Sequence, residues 1–98
     1  MLREEVIAKL KEVEPVVRSR GATALYLFGS HARDQARTDS DVDVFIDKDR
    51  TRKFGFDEFM DIYLLLQERF GGKVDYSTRE GLHPLLRPAI EKEALKIF

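Results

Sequence analysis

Leu2, Val6, Leu10, Val13 and Val17 recur at spacings of three and four, the period of one apolar helix face, and predict an amphipathic helix at the N-terminus. Pro15 falls inside that pattern and must kink the helix or divide it in two, and Gly21 ends it. The period then shortens. Thr23 to Phe28 reads as a first, apolar strand, Ser30 to about Ala36 as a short helix, and Thr38-Asp39-Ser40 as turn chemistry. From Asp41 to Ile46 the residues alternate: Val42, Val44 and Ile46 share one face of a second strand and Asp41 and Asp43 the other. After a polar, basic stretch from Asp47 to Gly55, Phe56, Phe59, Met60, Tyr63, Leu64 and Phe70 keep helical spacing up to Gly71-Gly72. Val74-Asp75-Tyr76 is a short third strand, Leu82-His83-Pro84 a break, and Leu85 to Ala94 a final helix before the apolar tail Leu95 to Phe98. Helices interleaved with three strands predict an α+β or α/β sheet, with the relative direction of the first two strands left open.

Composition narrows the class. A chain of 98 residues with 43% hydrophobic residues and seven Phe has enough apolar surface for one core and too little length for two, so residues 1–98 are expected to form one domain. Seventeen basic residues against eighteen acidic ones provide no electrostatic footprint for coating nucleic acid, and no direct nucleic-acid binding is expected. Cysteine is absent, which excludes disulfides and thiolate metal sites. The N-terminal stretch MLREEVIAKLKEVEPVV lacks the apolar run of a signal peptide, and no segment approaches the roughly 20 apolar residues of a membrane span. A cytoplasmic location without membrane attachment is the resulting expectation.

The polar positions then acquire meaning. Gly29-Ser30 follows the first strand where a helix can begin and offer unpaired N–H groups to a phosphate. Two carboxylates about 4 Å apart repel by about 1 kcal/mol in bulk water and about 4 kcal/mol at an effective dielectric of about 20, so Asp41 and Asp43 on one strand face call for a hard divalent cation. A third acid would let such a site hold two ions and clamp a nucleoside triphosphate, and Asp75, alone in the third strand, is the candidate. Asp47 and Asp49 lie at the strand exit, and Asp57, Glu58 and Asp61 belong to a solvated helix face. Taken singly, Gly29-Ser30 is an ordinary N-capped turn and Asp75 an exposed edge residue. Their joint occurrence with the paired acids is far more specific. The basic residues Lys48, Arg50, Arg52 and Lys53 read as a solubilising connection, or as a loop that touches the nucleotide or an acidic partner, with Phe54 in an exposed contact patch.

The stretch GSHARDQARTDSDVDVFID closely resembles the GSxxRG…SDxDxxV signature of minimal nucleotidyltransferase domains, the small members of the polymerase-beta-like nucleotidyltransferase superfamily. The N-terminal helix, the VDYS strand and the terminal EALKIF extend the resemblance over nearly the whole chain. It implies a polymerase-beta-like fold: a small mixed sheet of at least three strands flanked by about four helices. It further implies that Gly29, Ser30 and Arg33 hold the triphosphate of ATP, that Asp41 and Asp43 bind Mg²⁺, two ions in all, and that Asp75 completes the triad as metal ligand or base. Two positions depart from the pattern. Asp34 stands where relatives carry glycine, which puts in question a turn that needs positive φ or a close approach to the partner, and His31, expected to be a solvated helix residue, replaces an arginine. Larger enzymes of the superfamily resemble this domain plus one that binds the acceptor, so the acceptor side is expected from elsewhere: a structured partner in a hetero-oligomer, or a homo-oligomer that completes the cleft. Domains of this type pair with HEPN-domain ribonuclease toxins. The resemblance therefore implies an antitoxin that transfers AMP to a toxin tyrosine. The alternatives are an antitoxin that only occludes its partner, or one subunit of an enzyme that modifies an antibiotic.

Overall fold

The structure, a computed structural model, describes residues Met1–Phe98. Pro15 sits in the first turn of a helix, where its missing N–H is harmless, and the N-terminal periodic stretch is accordingly split into α1 (Arg3–Glu12) and α2 (Glu14–Ser19). There follow β1 (Ala22–Phe28), α3 (Gly29–Ala32), β2 (Val42–Lys48), α4 (Phe56–Arg69), β3 (Val74–Thr78), a 3-10 turn (Arg79–Gly81), α5 (Arg87–Glu93) and β4 (Leu95–Lys96). The four strands form one mixed sheet in the order β3-β2-β1-β4, as the resemblance implied. β1 runs antiparallel to both β2 and β4, and β2 runs parallel to β3 through the α4 crossover.

Four boundaries differ from expectation. The apolar tail is a strand: Leu25 donates to Phe98 O (2.9 Å) and accepts from Ile97 N (2.8 Å), closing the far edge of β1. The short helix after Phe28 ends at Ala32 instead of continuing to Ala36, because Asp34 takes a left-handed φ of 58° that no helix accommodates. Asp41 lies just outside the β2 ladder, and Asp47 inside it. The last helix starts at Arg87, two residues past Leu85, with Pro88 in its first turn.

Alternation along the strands divides the sheet into two unlike faces. Leu25, Leu27, Val42, Val44, Ile46, Val74 and Tyr76 pack against Val6, Leu10, Val13, Val17, Ile62, Leu66 and Phe70 of the helical layer. The opposite face carries Tyr26, Phe28, Phe45, Asp43, Asp47 and Asp75, aligned by the registers Tyr26–Phe45, Phe28–Asp43 and Asp43–Asp75. Phe45 is nonetheless fully buried. Its ring stacks on Tyr26 at 4.8 Å between centroids, and the Arg79 guanidinium lies 4.9 Å from both rings. Arg79 grips Asp47 with two hydrogen bonds (2.7 and 2.9 Å) and Glu91 with a third (2.7 Å), tying the 3-10 turn to β2 and to α5. A planar fork that stacks and chelates at once has no lysine equivalent. Arg79→Ala is expected to lower the melting temperature by roughly 5–10 °C, with Arg79→Lys recovering little of it, as a thermal melt would register.

Phe54 is not an exposed contact: it packs against the core, and a Cβ on Gly21 would lie 3.3 Å from its ring. No helix is long and apolar enough to cross a membrane.

Candidate active site

β1 stays extended through Phe28, and the chain then turns sharply at Gly29, whose φ of +73° admits glycine with least strain. Space demands glycine there as well. A Cβ at Gly29 would overlap the Asp43 carboxylate, lying 3.0 Å from its Cγ, so the turn is pressed directly against the acid that stands opposite Phe28 in the register. The parallel register sets Asp75 beside Asp43 on the next strand, and Asp41 precedes β2 by one residue, exposed. Ser30 is half-buried in the single turn of α3, and Arg33 follows as its C-cap. All six candidate residues, Gly29, Ser30, Arg33, Asp41, Asp43 and Asp75, therefore gather at one end of the open face. With only one turn, α3 adds little helix dipole, so an anion there depends on individual N–H groups and on Arg33.

The acids crowd one another. Asp43 is pushed up from the ordinary 3.8 to about 6, first by burial, then by the charges of Asp75 and Asp41, with Arg33 opposing and Glu93 adding to the rise. In their present rotamers the three carboxylates do not form a closed metal cage. The charges of Asp75 and Asp41 nonetheless reach Asp43 across the strand end.

Two residues have roles that differ from expectation or went unforeseen. His31 is buried (2% exposed) instead of solvated, and its Nδ1–H donates to the carbonyl of Asp41 at 3.1 Å. It fixes the backbone that carries the first acid. Glu93, the last residue of α5, accepts from the N–H of Gly29 (3.3 Å) and from Nη1 of Arg33 (2.9 and 3.2 Å). A carboxylate near the end of a short helix carries no signal of a partner 60 residues away, so only the fold could reveal it. Asp34 adopts the positive φ that glycine would supply, a conformation that Asp tolerates through local hydrogen bonding, so the departure from the signature leaves the turn intact.

The basic loop lies elsewhere. It follows the other end of β2, about 17 Å of strand from Asp43. There it lines a cleft of about 370 Å³ with Lys48, Asp49, Arg50, Arg52, Phe54 and Glu80. Arg52 donates to the carbonyls of Arg18 (3.1 Å) and Ser19 (2.8 Å), which ties the loop to the end of α2.

Known proteins are similar to this chain in sequence and fold. The chain is 29% identical over 75 residues to "Putative protein adenylyltransferase MJ1379" of Methanocaldococcus jannaschii, covering 76% of this chain and 75% of that one. A solved structure described as "Structure of putative minimal nucleotidyltransferase" superposes with a TM-score of 0.79 at 32% identity, covering 97% of this chain and 95% of the other. A toxin-antitoxin crystal structure with AMP-PNP shares the fold at a TM-score of 0.70 and 15% identity, over 92% of this chain and 72% of that one. The model of the nucleotidyltransferase domain family matches residues 10–97, from the end of α1 through the Gly29 turn and the three acids to β4, and the chain belongs to that family.

Proposed function

We propose that this nucleotidyltransferase uses Mg²⁺ to transfer AMP from ATP to a tyrosine hydroxyl of a partner HEPN-domain toxin, as its antitoxin. The observation that carries the reading is the register Phe28–Asp43–Asp75, which joins the glycine turn and the acids at one end of one sheet face. A relative named as a protein adenylyltransferase and a fold shared with a toxin-antitoxin bound to AMP-PNP support the choice of reaction and partner.

The residues fit a divalent cation. Three carboxylates of like charge, one of them held toward its neutral form by burial and then by the charges of the other two, gain most from a positive ion. Asp41, Asp43 and Asp75 would hold Mg²⁺, which supplies charge neutralisation on the phosphates and acidifies a bound hydroxyl. In the transfer the acceptor oxygen bonds to the α-phosphorus, the bond from that phosphorus to the bridging oxygen of the β-phosphate breaks, and pyrophosphate leaves. Arg33 offers the unpaired Nη2 of its guanidinium to the departing phosphates. Asp75, exposed on the edge strand, is placed to receive the proton of the incoming hydroxyl or to share the ion. Because Asp41 and Asp75 are both exposed and no enclosed cavity surrounds them, the wall behind the acceptor is a partner's surface.

Incubation with α-labelled ATP, Mg²⁺ and the protein encoded by the adjacent gene should label a tyrosine of that protein. Asp41→Ala should reduce the label on the order of 10³-fold. An unlabelled neighbour, or equal labelling by the variant, would sink the reading.

A further inference from the structure

Glu93 stands where a fourth negative charge is least welcome. Its carboxylate adds to the repulsion on Asp43, yet the fold brings it there from the far end of the chain. What it gains is specific. Nη1 of Arg33 points at both of its oxygens, Nε of Arg33 donates to Gln35 Oε1 (3.2 Å), and Nη2 is left without a partner in the chain. The guanidinium is held by two of its three nitrogens, with the third free. The same Glu93 carboxylate accepts from Gly29 N–H, so one side chain braces both the glycine turn and the arginine that closes α3. It also sits directly before β4, whose pairing with β1 anchors it.

We infer that Glu93 is the positioning residue of the phosphate site: it holds Arg33 with one nitrogen presented to the triphosphate and locks the Gly29 turn against Asp43. The inference rests on the nucleotide reading given above and deepens it. Gly29 then contributes room for Asp43 and a donor to Glu93, and the phosphate contacts fall to Arg33 and the N–H groups beyond Gly29. A long side chain fixed in advance loses less conformational freedom on binding, and that saving appears as affinity.

The full chain, titrated with ATP and Mg²⁺ by calorimetry, provides the test. Glu93→Ala should weaken ATP binding about tenfold, and its loss should be clearly less than additive with that of Arg33→Ala in the double variant, since the brace on Arg33 has no effect once the arginine is gone and only the hold on the Gly29 turn is left to lose. Glu93→Gln keeps an oxygen acceptor for Arg33 and should lie between wild type and Glu93→Ala; it also serves if the alanine variant folds poorly. The losses should appear in KM for ATP more than in kcat. Additive losses in the double variant would overturn the inference, and so would unchanged or tighter binding by Glu93→Ala, which would mark Glu93 as a competitor of the phosphates. Failure of the wild type to bind ATP would remove the nucleotide reading itself and this inference with it. Binding by the wild type and by Glu93→Ala alike would remove only Glu93.

Discussion

Asp43→Asn should stop nucleotidyl transfer and at the same time stabilise the metal-free protein near neutral pH. The two effects have one origin, the crowding of Asp43 by burial, Asp75 and Asp41, which lifts it from 3.8 to about 6. A carboxyl whose folded value is raised favours folding while it is protonated in both states, below about pH 4, and loses that contribution as the pH climbs through about 6. At about pH 7 the charge is therefore a net cost. Taken at face value the rise corresponds to about 3 kcal/mol. Asp43 is half exposed, so screening reduces the cost to about 1 kcal/mol. Asparagine keeps the shape without the charge, so the melting temperature should rise by roughly 5 °C at about pH 7 and by little or nothing at about pH 4. Mg²⁺ should raise the melting temperature of the wild type more than that of the variant, because a ligand of the native state stabilises only where it binds. Transfer should fall on the order of 10³-fold in the same variant. A lower melting temperature at neutral pH would mean that the carboxylate is a structural partner and not a crowded site acid.

Gly29→Ala should cost both stability and activity. The φ of +73° imposes left-handed strain on any side chain of about 1–2 kcal/mol. The new Cβ also overlaps the Asp43 carboxylate, which can yield only by turning away from the position opposite Phe28. Strain and displacement together should destabilise by about 2–3 kcal/mol and lower the melting temperature by roughly 10–20 °C. The folded fraction should transfer AMP as poorly as an Asp43 variant, because the acid has been moved as surely as if it were removed. Activity per folded molecule distinguishes the two costs: if it stays near wild type while the melt shifts, strain alone accounts for the loss and the contact between turn and acid has no catalytic weight.

What the sequence disclosed and what it concealed divide along a physical line. Local patterns were legible: the break at Pro15, the alternation that puts Asp43 opposite Val42 and Val44, and the helical spacing of α4 all follow from neighbouring residues. The glycine turn and the acids could be named because each depends on a short stretch of chain. Contacts between distant segments were not legible. β4 is only two residues long, and its identity as a strand comes from pairing with β1, not from any propensity of its own. The burial of His31 escaped for a related reason: a helix of four residues has no period to tell an inward side chain from an outward one, and the ring is held by a carbonyl ten residues on. Glu93 joined the site through α5 and β4 together, so it could not be found before either was placed.

That late pairing also shapes how the protein is made. Leu25 exchanges its backbone hydrogen bonds with Ile97 and Phe98, partners about seventy residues further along the chain. Closing so long a loop is slow compared with forming the helices or the antiparallel pair of β1 and β2. During synthesis β1 therefore waits with one edge bare, while the helical layer and the parallel crossover can already assemble. A nascent chain arrested before β4 would carry Asp41, Asp43 and Asp75 without Glu93 fixed at their side, and it would present an open strand edge to its neighbours. Completion of the Glu93 brace on Gly29 and Arg33 thus coincides with completion of the sheet.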